Sequence, residues 1–140
     1  MGQGRRPVIT PAKTAGFCFG VDRAVNMVYD ACATEKNVCT LGPIIHNNFI
    51  IDDLASKGVR TVNDPSEVRE NDTLIIRAHG VSESIMKQLE DRHIKYLDAT
   101  CPFVKKIHRI VAENTAAGKI ALIAGDENHP EIIGIRGHCK

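Results

Sequence analysis

Short, nearly uninterrupted apolar runs recur along this 140-residue chain, and they restrict its fold more than any other feature. "TLII" (73–76) and "IALIA" (120–124) offer apolar side chains to both faces of a strand. A strand of that kind needs cover on both sides, which parallel sheets flanked by helices provide. Six runs fit: 7–10, 37–41, 59–62, 73–77, 94–98 and 119–125. Helical periodicity fills the intervals. Val21, Ala24, Val25, Val28 and Cys32 share one face of a helix over 21–35, and Phe49, Ile50, Leu54 and Ala55 do so over 47–57. Ile85, Met86 and Leu89 mark a helix over 83–92. Val104, Ile107, Ile110 and Val111 mark another over 102–117, with Pro102 in its first turn and Gly118 as its stop. The expected class is α/β, a parallel sheet with helices on both faces. The expected division is a first α/β unit over 1–98 and the start of a second, truncated one over 99–140, because "HPEIIGIRGHCK" opens a short helix with no strand after it.

Composition narrows the function. Apolar residues make up 43% and charged residues 25%, as in an ordinary soluble globular domain. A net charge of +1 and the lack of Trp argue against a nucleic-acid partner. No apolar run approaches the roughly 20 residues that a membrane helix needs. Arg6 stands where a myristoylation signal takes Ser or Thr, and the run after Arg5–Arg6 is too short for a signal-peptide core. A cytoplasmic protein is expected.

Ligands of parallel α/β sheets bind outside the carboxyl ends of the strands. The residues that follow the expected strands are Cys18, His46, His79, Cys101, and His129 with Glu131. Taken singly, either cysteine is more often a packed thiol than a ligand. Both nevertheless directly precede helices, whose dipoles favour the thiolate that binds metal. In "AGFCFG" (15–20), Gly16 and Gly20 allow a sharp bend or a close approach, and Phe17 and Phe19 are expected to wall Cys18 off from water. The five cysteines include no C-x-x-C pair. Cys32, on an apolar helix face, and Cys39, inside a strand, read as core. His46, His79 and His129 each stand at a strand-to-helix turn, where starting helices offer N–H groups to anions, and together they suggest a phosphate or diphosphate clamp. Glu131 is either a proton donor or an acid favoured by a helix N-terminus. His93 and His108 read as ordinary helix-associated residues.

"AGFCFGVDRAV", "GPIIHN", "RAHGVS", "DATCPFV" and "NHPEIIGI" occur in this order and resemble the 4-hydroxy-3-methylbut-2-enyl diphosphate reductase family, the last step of the methylerythritol phosphate route to isoprenoids. The resemblance runs from about residue 7 to residue 137. It implies three similar α/β units around a 4Fe–4S cluster, with one cysteine from each unit. Cys18 and Cys101 match the first two ligands, and the third has no match in these residues. His46, His79 and His129 match the diphosphate-binding histidines, and His129 and Glu131 match the catalytic positions, Glu131 in proton delivery. The implied reaction is reductive dehydroxylation of an allylic diphosphate to isopentenyl and dimethylallyl diphosphates, with ferredoxin or flavodoxin as electron donor. With two of three ligands, the chain alone is expected neither to hold a stable cluster nor to turn over. Two other readings use the same residues: a phosphate-binding module that has lost the cluster, and a thiol switch formed by Cys18 and Cys101.

Overall fold

The structure, a computed structural model, describes residues 8–140; the first seven positions, with the Arg5–Arg6 pair, lie outside the described residues. In chain order its elements are α1 (Phe19–Thr34), β1 (Val38–Leu41), α2 (Asn48–Ser56), β2 (Arg60–Val62), β3 (Thr73–Ile76), α3 (Glu83–Asp91), β4 (Tyr96–Asp98), α4 (Pro102–Ala116) and α5 (Pro130–Arg136). The four strands form one parallel sheet in the order β2-β1-β3-β4. The α/β class expected from the apolar runs is therefore present.

Alternation along the central strands sorts the core into two layers. Val38 and Ile75 point to the side where Ala24, Val25, Val28 and Ala31 of α1 and Leu54 of α2 pack. Cys39, Leu41, Leu74 and Ile76 point to the other, against Leu89 of α3, with Ile85 and Met86 at its margin. The placement of α2 and α3 follows from handedness. The chain leaves β1 toward one edge of the sheet and β3 toward the other, and right-handed crossovers in opposite directions put their helices on opposite faces.

Local signals set the helix starts. The Asn47 side chain accepts the Ile50 N–H at 3.2 Å, and Ser82 accepts the Ile85 N–H at 3.4 Å. Pro102 and Pro130 open α4 and α5, where a missing N–H costs nothing. An Asp64–Glu67 capping box starts a short 3₁₀ turn before β3. Asp72, buried at the amino end of β3, is held by the Arg60 guanidinium and by the Arg69 N–H at 2.8 Å.

Two expected strands do not form. Position 7 of the run 7–10 lies outside the described residues, and residues 8–10 have no regular structure, with Val8 91% exposed. The run 119–125 is irregular, with Ile120 97% and Leu122 98% exposed. A strand exists only where a neighbour closes its ladder. The described sheet already ends at β2 and β4, and neither run pairs with those edges. After this extended stretch, α5 docks back near the first turn of α3. There the Glu83 N–H meets the Gly137 carbonyl at 3.4 Å, and a His138 ring nitrogen lies 3.1 Å from the Val81 carbonyl oxygen.

Leu89 is fully buried and is the main anchor of α3, whereas Phe49 on α2 is 79% exposed. Leu89→Ala is expected to lower the unfolding free energy by about 2–5 kcal/mol, and Phe49→Ala by less than about 0.5 kcal/mol, in urea titrations.

Candidate functional site

The sheet has one topological switch point, between β1 and β3, where crossovers depart in opposite directions and leave a crevice at the carboxyl ends. The ladder continues past the strands into the loops around this crevice. The Ala78 N–H donates to the Ile44 carbonyl at 3.2 Å, the Ala99 N–H to Ile76 at 3.1 Å, and the Cys101 N–H to Ala78 at 2.9 Å. His46, His79 and Cys101 are thus carried on one hydrogen-bonded rim. Gly42 and Gly80, with φ of 71° and 72°, turn the chain there in a conformation that side-chain-bearing residues rarely take.

At the crevice three imidazoles meet. Ring centroids are 4.6 Å apart for His46 and His79, 5.3 Å for His46 and His129, and 5.6 Å for His79 and His129. One nitrogen from each ring lies within 4.8 Å of the others. His46 is exposed and the other two are partly buried. His129 reaches the cluster from the N-cap of α5, not from a sixth strand. The same residue converges as the sequence suggested, by a different route.

Nitrogens this close suit either a metal ion or an anion, and protonation decides between them. His129 Nδ1 accepts the Glu131 backbone N–H at 3.2 Å, so the ring proton sits on Nε2 and makes that atom a donor. Coordination of a metal through Nε2 would place the ring proton on Nδ1, which could then no longer accept the Glu131 N–H. His79 Nδ1 is buried without a hydrogen-bond partner. Its pKa is lowered to about 4, chiefly by burial and then by the neighbouring His46, Arg77 and His129. Near neutral pH the cluster therefore holds an uncharged His79 and presents N–H donors, an arrangement suited to phosphoryl oxygens.

The two rim cysteines occupy equivalent positions. Cys18 is the N-cap of α1 and Cys101 the N-cap of α4, and neither side chain makes a capping hydrogen bond. Cys101 Sγ lies against the first turn of α1, so closely that a Cβ at Gly20 would overlap it. The close approach expected at Gly20 is therefore to the second cysteine. Arg23, one turn further along α1, ties the helix to this rim by donating to the Thr100 and Asp98 carbonyls, each at 3.3 Å. Among the described residues no element covers the Phe17 and Phe19 rings: Phe19 is 66% exposed, Phe17 and Cys18 are exposed too, and the expected aromatic wall does not form from these residues. Cys39 is fully buried, and burial pushes its thiol pKa up to about 11, as suits a core residue. Cys32 packs against the α1 layer, and burial also raises its pKa. Glu131 lies in the first turn of α5, partly buried, beside His129.

Three residues that the sequence did not single out support the site. Arg23 bridges the cysteine-bearing segments, and Arg77, two residues before His79, sets its guanidinium against the Gly42 turn. His108, nearly buried on α4, stacks on His138 at 4.1 Å between ring centroids. It fills the space over two glycines: a Cβ at Gly80 would come 2.7 Å from His108 Cε1, and one at Gly134 would come 3.3 Å from Nε2. Gly80 follows His79 and Gly134 lies on the helix that carries His129, so one imidazole braces both segments.

The family model described as LytB protein matches residues 9–140. The chain belongs to the LytB family. It is 46% identical over 132 residues to the 4-hydroxy-3-methylbut-2-enyl diphosphate reductase of Clostridioides difficile, covering 92% of this chain and 47% of that protein. The protein of the same name from Caldanaerobacter subterraneus is 44% identical over 133 residues, covering 92% and 46%. A solved structure of (E)-4-hydroxy-3-methyl-but-2-enyl diphosphate reductase, described as the terminal enzyme of the non-mevalonate pathway, superposes with a TM-score of 0.77. It is 41% identical, covering 91% of this chain and 45% of that one. The Plasmodium falciparum E-1-hydroxy-2-methyl-but-2-enyl-4-diphosphate reductase superposes with a TM-score of 0.83 at 29% identity, covering 90% and 40%. The chain spans about half the length of the curated relatives it matches. No described helix is long and apolar enough to cross a membrane.

Burial also holds the His108 pKa down, to about 4. Unfolded, His79 and His108 take up protons near pH 6.5; folded, only near pH 4. Protonation therefore favours the unfolded chain, and stability is expected to fall as pH drops from about 6.5 toward 4. Urea midpoints measured across this window should decline, and His108→Asn should flatten the decline. A midpoint independent of pH over this range would contradict the assignment.

Proposed function

We propose that these residues form the diphosphate-binding part of a reductase that converts 4-hydroxy-3-methylbut-2-enyl diphosphate to isopentenyl and dimethylallyl diphosphates. The observation that carries this reading is the convergence of His46, His79 and His129 at the switch-point crevice, on the rim that also bears Cys101. Family membership supports it, together with the names of relatives that share over 40% of aligned residues.

The imidazole N–H groups would hold the terminal phosphoryl oxygens and direct the allylic end of the substrate away from the histidines. The reaction takes two electrons and two protons; the allylic C–O bond breaks, a C–H bond forms and water leaves. Glu131, in the first turn of α5 beside His129, is the proton-delivering group in this reading. It enters with the helix whose cap places His129, so substrate binding and proton delivery share one element. Cys18 and Cys101 would supply two of the three thiolates of a 4Fe–4S cluster. Both thiols are free of capping hydrogen bonds, and the absence of a side chain at Gly20 leaves the Cys101 sulfur its space. When bound, such a cluster offers an iron site for the substrate hydroxyl and a relay for electrons from ferredoxin or flavodoxin. None of the other three cysteines caps α1 or α4: Cys32 and Cys39 belong to the core, and Cys139 Sγ lies 4.0 Å from the Ile135 carbonyl oxygen. Residues 1–98 are read as the first of three α/β units and 99–140 as the start of the second, in the cytoplasm.

One observation also fits a second reading, a phosphate-binding module without a cluster: the three histidines converge among the described residues without help from either cysteine. Anaerobic reconstitution with iron and sulfide tests the thiolate assignment through the labile iron that two of three ligands retain. Bound iron is expected to fall by roughly half or more in Cys18→Ser and in Cys101→Ser, and to be unchanged in Cys139→Ser. These 140 residues alone are expected to fall well short of full reductase activity. Iron content indifferent to Cys18 and Cys101 would overturn the ligand assignment.

A further inference from the structure

Arg77 directly follows β3 and precedes His79 by two residues. Its guanidinium lies against the Gly42 turn, so closely that a Cβ at Gly42 would overlap Nη1. Its Nε is buried without a hydrogen-bond partner. Among the described residues it forms neither an ion pair nor a hydrogen bond, unlike the two other partly buried cations. Arg60 is paired with Asp72, and Arg23 donates to two carbonyls. Burying part of a guanidinium without a partner is unfavourable, so a partly buried arginine favours an anion beside it.

The surroundings of Arg77 point to where that anion comes from. The residue lines a cavity of about 200 Å³ together with Gly42, Asn63, Ser82, Pro130 and Gly134. The cavity thus touches the turn after β1, four residues before His46, and Pro130, which directly follows His129, while the histidines themselves do not line it. His79, kept uncharged chiefly by burial, can donate a hydrogen bond to a diphosphate but brings no charge to balance it. Arg77 already acts on this cluster, since its charge is one of the influences that oppose protonation of His79.

We propose that Arg77 is the counter-charge of the His46–His79–His129 site, a built-in cation whose partner is the bound polyanion. This rests on the reading of the cluster as an anion site. The mechanism is Coulombic, at short range and beside a partly desolvated crevice, so the residue must carry charge, while its exact shape matters less.

Calorimetric titration with inorganic pyrophosphate, at low and at high salt, tests this on the chain with wild-type sequence, Arg77→Lys and Arg77→Met. The wild type is expected to bind, Arg77→Lys to stay within about threefold, and Arg77→Met to weaken by about tenfold or more at low salt with a flatter salt dependence. Arg77→Gln replaces Arg77→Met should the latter not fold. An uncharged variant that matches wild type in affinity and in salt dependence would overturn the proposal. So would Arg77→Lys losing as much as Arg77→Met, since shape and not charge would then be at issue. A wild type that binds no pyrophosphate would overturn the anion reading itself, and the counter-charge role with it, before any substitution is made.

Discussion

Everything at the site depends on parallel pairing that outlasts the strands. The bonds from Ala78 to Ile44 and from Cys101 to Ala78 extend the sheet into the loops after β1, β3 and β4. Segments that would otherwise be independent loops are thereby held in register. Fixing a residue costs on the order of 1–2 kcal/mol of backbone entropy, and a ladder meets that cost cooperatively. Functional side chains carried on such a rim keep their mutual distances when a ligand arrives, which is what hydrogen-bonding to a phosphoryl group demands.

The opposite departures from β1 and β3 make the crevice, and α5 closes one side of it. That helix is short, and the bonds that hold its end include Glu83 to Gly137, His138 to Val81, the Lys140 N–H to Thr115 Oγ1 at 2.8 Å, and the Lys140 ammonium to the Glu83 carboxylate. Packing adds to these, with His108 set over Gly80 and Gly134. The neutral state of His108 matters for the same reason as that of His79. A charged imidazole behind the glycines would be desolvated next to His138, and the brace between the two histidine-bearing segments would loosen.

Much of this was legible in the sequence. The runs at 38–41 and 73–76 are buried on both faces and could only be interior parallel strands, and the pattern placed four of the helices within two residues of their observed ends. The rule that ligands gather at carboxyl ends brought His46, His79 and Cys101 to one rim. What the pattern could not show was pairing. The run 119–125 has the composition of a buried strand but lies unpaired, because composition states a preference and a ladder needs a partner. The phenylalanines beside Cys18 were read as cover, yet a side chain becomes a wall only when another element packs on it. Arg23 and Arg77 fall inside two of the resembling motifs without a role assigned to them there, and His108 falls in none. Their importance comes from the atoms they meet across 75, 35 and 28 positions of sequence, respectively at Asp98, Gly42 and Gly80.

The central claim is that three imidazoles at the switch point act together as an anion clamp. The most direct measurement is a titration of the chain with inorganic pyrophosphate followed by histidine ring NMR signals. The account requires the His46, His79 and His129 resonances to shift together along one saturable curve, with His93, which lies outside the crevice, unmoved. Shifts confined to the exposed rings, or His79 remaining silent while the others move, would contradict it.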